Sequence, residues 1–240
     1  MTGRSMRIRR LVAMGFGLLV LGGAALLIAG MMAQTPTAPV PAEADGLKEV
    51  PATAESSSGK EEELSAQLAA TRSAVDMSAL TPTPLPVSTP VEITIEAADI
   101  TSDLHVVGKR PDGSLEVPSG PRYDEAAWYD GSPTPGAMGP SVLLGHVTST
   151  GQSPSVFFDL GTVTVGDTVE VARADETVAV FTVYAVDSFP KDDFPTETVY
   201  GNTESPELRV ITCGGEYVQD DRAHEDNVVV FAQLTDVEGS

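Results

Sequence analysis

The sequence of 240 residues contains one cysteine, few aromatic residues and few basic residues. Its single cysteine, Cys213, excludes a disulfide within the chain. In an exported protein, such a cysteine indicates either pairing with another chain or a free, reactive thiol. Only 14 Lys and Arg face 35 Asp and Glu, for a net charge of −21, which argues against nucleic acid or anionic lipid partners. We expect no cofactor or metal; a calcium site stays open, although no EF-hand-like spacing occurs.

The N-terminus is the exception to this acidity. Residues 1–10 form a basic tail with four arginines, and an uncharged apolar run follows at residues 11–33. Spanning a bilayer takes about 20 apolar residues, whereas a cleavable signal has an apolar region of roughly 7–15 and a small-x-small site. Because this run is long and ends in Met31-Met32-Ala33, we predict an uncleaved, single-pass anchor in the cell membrane. The positive-inside rule then places the tail in the cytoplasm and the rest outside.

A low-complexity segment, residues 34–88, follows the anchor. It is rich in Pro, Thr, Ala, Ser and Glu, and this composition does not bury enough apolar surface to offset chain entropy. We therefore predict a disordered stalk, extended where proline is frequent. A weak helix is expected over 61–80, because Leu64, Leu68 and Val75 share one face.

Residues 89–236 are expected to form one folded domain. The stretch "VEITIE" alternates apolar and polar residues, as a half-buried strand does. Short strands separated by Gly and Pro turns, with no convincing long helix, predict an all-β barrel or sandwich. The other expected strands are 141–146, 168–172, 178–186, 208–213 and 227–234.

Three residues at strand ends form the candidate catalytic set. His146 ends the strand "PSVLLGH", Cys213 ends "LRVITC", and Arg222 precedes "NVVVFAQL". An antiparallel hairpin would bring Cys213 and Arg222 to one end, and His146 joins them if its strand runs parallel to the Cys213 strand. A thiolate nucleophile, an imidazole acid/base and a guanidinium that binds an oxyanion together suit acyl transfer.

Each of these residues also has a purely structural interpretation. Cys213 is then a small buried hydrophobe, His146 a structural strand-end residue, and Arg222 a counter-charge for the surrounding carboxylates. His105 and His224 are expected at the surface, with His224 the second choice as base because it is close to Cys213 in sequence. The corresponding function is a non-catalytic, membrane-anchored β-domain that binds a cell-wall or protein partner.

The motifs "LLGHVTS", "LRVITCGG" and "DNVVVFA" resemble those of sortases, most closely the actinobacterial class F. The resemblance covers roughly residues 91–234 and includes "AAWYDGSPTPGAMGPSVLLGHV" and "FPTETVYG". It implies an eight-stranded β-barrel with short helical and loop connections, carried by an N-terminal transmembrane anchor. The catalytic domain would then lie on the extracellular face of the membrane.

The resemblance also implies a cysteine transpeptidase. Cys213 would attack the threonine carbonyl of an LPxTG-like sorting signal, His146 would act as acid/base, and Arg222 would hold the oxyanion. An amine, such as that of a peptidoglycan precursor, would then resolve the thioacyl enzyme. In some classes the arginine stands thirteen residues after the cysteine, where this chain has Asp226. The segment 188–206 is the expected specificity loop.

Overall fold

The computed structural model describes residues 37–41, 57–75, 83–151, 153–218 and 223–239. Its eight strands close into a barrel in the order β1-β2-β3-β4-β7-β8-β6-β5, which confirms the predicted eight-stranded β-barrel. The strands are β1 (Pro90–Ile95), β2 (Ile100–Val107), β3 (Ala126–Tyr129), β4 (Gly139–Leu144), β5 (Thr168–Arg173), β6 (Val178–Pro190), β7 (Pro206–Val218) and β8 (Ala223–Glu238). The α-helices within these ranges are α1 (Ser57–Ala74) and α2 (Thr196–Tyr200).

The predicted tail 1–10 and anchor 11–33 lie outside the described residues. In the parts of the chain that the structure describes, no helix combines the length and the apolar character that crossing a membrane requires.

Two apolar clusters, one on each face of the sheet, hold the barrel together. Leu143 and Val210 belong to the cluster that includes the inward-facing residues of the other strands. Their neighbours Leu144 and Ile211 belong to a second cluster on the outer face, together with Phe231. Because β4 and β7 are covered on both faces, apolar residues occupy adjacent positions in both strands, as at Val142–Leu144 and Val210–Ile211, instead of alternating with polar ones.

Helix α1 covers the outer face, so residues 57–75 are not part of a free stalk. Its Leu64 and Leu68 are 7% and 6% exposed and belong to the outer apolar cluster. Arg72 Nη1 also lies 2.6 Å from Glu207 Oε1 of β7. The expected helix is therefore present at 57–74 instead of 61–80, and the expectation of a disordered stalk across all of 34–88 is wrong for this part. Apolar contacts and a partly buried ion pair, which composition does not reveal, stabilise it.

The register of β4 and β7 positions the candidate site. The two strands are parallel, and Leu144 pairs with Ile211. Strands β7 and β8 form an antiparallel pair in which Cys213 faces Asn227. The parallel arrangement on which the proximity of His146 and Cys213 depended is therefore present.

Candidate active site

The pairing of β4 with β7 brings His146 and Cys213 to one part of the barrel, although neither residue ends its strand as expected, since β4 stops at Leu144 and β7 continues through Cys213 to Val218. Beyond the last pair of the two strands, Gly145 N donates a hydrogen bond of 3.2 Å to the Ile211 carbonyl. Thr212 Oγ1 donates one of 2.9 Å to the Gly145 carbonyl. These bonds hold the two chain segments side by side, and both His146 and Cys213 line one cavity of about 180 Å³.

The hydrogen bond of His146 determines which of its ring nitrogens exchanges protons. His146 Nε2 lies 2.8 Å from the carbonyl oxygen of Pro118. Because a carbonyl oxygen only accepts, Nε2 must carry a hydrogen in both the neutral and the charged ring. Nδ1 is therefore the nitrogen that gains and loses a proton.

Tyr123 fixes the plane of the His146 ring. The two rings are stacked, with centroids 4.0 Å apart and an angle of 8° between their planes. Burial, and then the negative charges of Asp124 and Cys213, raise the pKa of the Tyr123 hydroxyl above its usual value. Tyr123 therefore stays a neutral phenol over the pH range in which a histidine titrates.

Cys213 has a partly exposed thiol with a cation beside it. Lys191 Nζ donates a hydrogen bond of 3.5 Å to Cys213 Sγ and another of 2.6 Å to the His224 carbonyl. Lys191 follows directly after β6, whose final residue Pro190 pairs with Asp226 of β8. An accessible sulfur next to a positive charge is the environment of a reactive thiol rather than of an inert core cysteine.

The two glycines after Cys213 are required by the shape of the strand. A Cβ at Gly214 would lie 2.6 Å from Val228 Cγ2, so a side chain does not fit there. Gly215 has a φ of +72°, which other residues rarely adopt. The pairing of β7 with β8 shifts register between Gly214 and Tyr217, so the Gly-Gly pair forms a bulge directly after the cysteine.

Arg222 lies outside the described residues, so its role as oxyanion-binding residue stays a prediction. Its neighbour Ala223 opens β8 and pairs with Val218.

His105 and His224 were expected at the surface, but both are partly buried. His224 is half-buried, and its Nδ1 lies 3.2 Å from the Gly215 carbonyl oxygen. The His105 side chain is only 10% exposed, and its Nδ1 lies 3.6 Å from Glu125 Oε2. Burial, followed by the charge of Arg122, lowers the pKa of His105 despite this carboxylate. Both rings contact residues from other parts of the chain, and the sequence pattern of a single strand does not predict such contacts.

The cavity has an apolar wall that the sequence did not predict. Leu115, Val117 and Pro118, from the connection between β2 and β3, line it together with Leu144 and Ile211. Nothing local marks this connection, which follows the turn residues Pro111-Asp112-Gly113, as part of the site. Tyr200 of α2 also lines the cavity, so the expected specificity loop 188–206 does reach it. Among the described residues, no group of three or more His, Cys, Asp or Glu is placed to bind a metal ion.

The family of the chain follows from comparison with known proteins. The family model of the sortase domain matches residues 93–235, which is more than half of the chain. The chain therefore belongs to the sortase family, whose members are cysteine transpeptidases that act on sorting-signal proteins and amine acceptors. Comparison with curated protein sequences gives no match.

Solved sortase structures are similar to this chain at low sequence identity. Sortase A of Listeria monocytogenes is 18% identical, with a TM-score of 0.46 over 64% of this chain and 90% of that one. Sortase C of Streptococcus pneumoniae is 17% identical, with a TM-score of 0.48 over 75% of this chain and 97% of that one. Sortase A of Corynebacterium diphtheriae is 14% identical, with a TM-score of 0.48 over 77% and 92%. The family assignment rests on the family model.

Proposed function

We propose that this sortase is a class F transpeptidase that cleaves an LPxTG-like sorting signal and transfers the cargo protein to an amine of the cell wall. The observation that supports this most directly is the placement of Cys213 and His146 in one cavity beside the paired strands β4 and β7. A thiol nucleophile and an imidazole in one accessible cavity are what acyl transfer through a thioester requires.

In the first half of the reaction, the cargo is transferred to the enzyme. The Cys213 thiolate attacks the carbonyl carbon of the signal threonine and forms the C–S bond. The tetrahedral oxyanion then collapses, the scissile C–N bond breaks, and protonated His146 gives its Nδ1 proton to the leaving amine. The products are a thioacyl enzyme with neutral His146 and the released C-terminal part of the signal.

In the second half, an amine releases the cargo. The incoming amine attacks the thioester carbonyl, neutral Nδ1 of His146 takes the proton that the amine loses, and Cys213 leaves as the thiolate. The enzyme is thereby restored to its starting thiolate–imidazolium form. A peptidoglycan precursor is the amine acceptor we propose. Arg222 is proposed to bind the oxyanion of both tetrahedral intermediates, because a planar guanidinium offers two parallel donors.

The lining of the cavity suits an apolar signal. Leu115, Val117 and Tyr200 present apolar surface beside Cys213. Contact with this surface favours the leucine and proline of an LPxTG-like motif over charged residues, because burying apolar side chains contributes favourably to the free energy of binding. The class F assignment is supported by the sequence motifs around His146 and Cys213, and the extracellular location by the predicted anchor at 11–33.

The test is a search for the thioacyl enzyme. The full chain, purified in detergent, is incubated with an LPxTG-type peptide and analysed by intact-mass spectrometry, with and without an added amine. We expect a covalent adduct on Cys213 that disappears when the amine is added, with a peptide–amine product in its place. Cys213→Ala should form no adduct while it unfolds at the wild-type temperature.

Cleavage that persists in Cys213→Ala would end the sortase mechanism for this chain. A wild-type protein that forms no adduct with a panel of sorting-signal peptides, and whose thiol resists alkylation until unfolding, would instead support the non-catalytic β-domain.

A further inference from the structure

We propose that Lys191 is a further catalytic residue, which stabilises the Cys213 thiolate through direct contact with its sulfur. The inference rests on the proposed function in one respect, the role of Cys213 as nucleophile. Its evidence is the contact itself, in which Lys191 Nζ is 3.5 Å from Cys213 Sγ.

The fold places the Lys191 ammonium at the sulfur. Strand β6 ends at Pro190, which pairs with Asp226, and Cys213 pairs with the adjacent residue Asn227. The first residue after β6 is therefore at the same barrel edge as the cysteine. A second hydrogen bond, 2.6 Å from Nζ to the His224 carbonyl, fixes the amine in this position. An ammonium has three hydrogens and no acceptor, so it donates to both groups at once.

The charges around Cys213 show why a cation is useful there. The Asp226 side chain, from β8, accepts a hydrogen bond of 3.1 Å from Ser188 Oγ and lies against Gly215, just after the cysteine. Asp192 is exposed in the turn next to Lys191. These carboxylates disfavour a negative charge on the Cys213 sulfur, whereas Lys191 and the imidazolium form of His146 favour it. Tyr123, which also interacts electrostatically with Cys213, is a neutral phenol near pH 7 because its pKa is raised.

The expected size of the effect follows from the separation and the exposure. Lys191 is exposed, so solvent screens its charge. For opposite charges about 3.5 Å apart under such screening, the thiolate population should change about five- to tenfold when the cation is removed.

The experiment measures the alkylation rate of Cys213 by iodoacetamide in the full chain, across about pH 5.5 to 10. In Lys191→Met, the rate at pH 7 should fall about five- to tenfold, because the sulfur loses its contact with a cation. Lys191→Arg keeps the charge and should restore most of the rate. The matched control is Lys109→Met, which makes the same change in net charge at an ammonium that lies 5.9 Å over the Tyr129 ring.

The proposal would be overturned if Cys213 in Lys191→Met were alkylated at the wild-type rate while the melting temperature stayed unchanged. An equal loss in Lys191→Met and Lys191→Arg would also overturn it, because it would point to packing instead of charge. After incubation with an LPxTG-type peptide, acyl groups found on Lys191 itself would identify it as a neutral nucleophile and also refute the assignment. Since alkylation needs no peptide, a failure of peptide cleavage would count against the proposed function without altering this measurement.

Discussion

Replacing Glu207 with glutamine should strongly destabilise the folded protein, because Glu207 is the centre of a buried ion cluster. Its side chain is 1% exposed and that of Arg209 is 2% exposed. Glu207 Oε2 accepts hydrogen bonds of 2.7 Å from Arg209 Nη2 and from the Tyr184 hydroxyl. Oε1 accepts one of 2.6 Å from Arg72 of α1 and one of 2.9 Å from Ser205. The cluster thus joins α1 to the strand that carries Cys213.

The magnitude follows from what glutamine removes. Glu207→Gln keeps the shape of the side chain but leaves the Arg209 guanidinium buried without its counter-charge. The amide NH₂ also points a donor at groups that are themselves donors. Removing one partner of a buried ion pair costs about 3–5 kcal/mol, a large part of the roughly 5–15 kcal/mol that stabilises a typical domain. For a domain of this size, the loss corresponds to a melting temperature lower by about 6–20 °C.

The assay is urea unfolding at neutral pH, with Glu204→Gln as the matched control. Glu204 lines the cavity beside the cluster but is exposed, so the same change of charge there should cost less than about 0.5 kcal/mol. The double variant Glu207→Gln, Arg209→Met should recover part of the loss, because it removes the uncompensated charge as well. A free energy of unfolding for Glu207→Gln within about 1 kcal/mol of wild type would refute the reasoning.

The pH dependence gives an independent check on the same residue. Burial alone would raise the pKa of Glu207, but the Arg209 charge, the Tyr184 hydrogen bond and Arg72 outweigh it and hold that pKa below its usual value. A lowered pKa in the folded state contributes stability above the unfolded value of about 4.3, and this is lost as the pH falls through the folded value. The difference between wild type and Glu207→Gln should therefore be constant near neutral pH and shrink only below about pH 4.

Four further predictions concern the site, helix α1 and the N-terminus. Arg222→Lys and Arg222→Ala should fold normally yet lose roughly 100- to 1,000-fold in rate, while Cys213 still alkylates; near-normal turnover of the lysine variant would reduce Arg222 to a counter-charge. The kcat/KM of the wild type should be bell-shaped in pH, because thiolate and imidazolium are needed together, and a flat profile between about pH 6 and 10 would contradict this. Leu68→Ala should cost about 2–5 kcal/mol in urea unfolding, since Leu68 is 6% exposed; a free α1 would make the change neutral. The full chain should sediment with membranes, whereas soluble protein that begins near Gln34 would show cleavage after the apolar run.

Local sequence was sufficient for the strands that carry the chemistry. The apolar residues of "PSVLLGH" and "LRVITC" predicted both strands, but not their ends, because β4 stops at Leu144 and β7 continues past Cys213 to Val218. The single cysteine and the two glycines after it indicate a special position from the sequence alone. Strands β2 and β3 were not predicted, because β2 contains Asp103 and His105 among its apolar residues and β3 is only 4 residues long.

Tertiary structure alone decided how these parts meet. The parallel pairing of β4 with β7, which brings His146 to Cys213, joins strands far apart in the chain, and the apolar pattern does not specify a partner. The same holds for the bond of Pro118 to His146, the contact of Lys191 with Cys213, and the ion pair of Arg72 with Glu207. The sequence therefore determined which residues have the right chemistry. Barrel closure determined which of them are in contact, because side chains distant in sequence come together only when the chain folds, at a cost in conformational entropy.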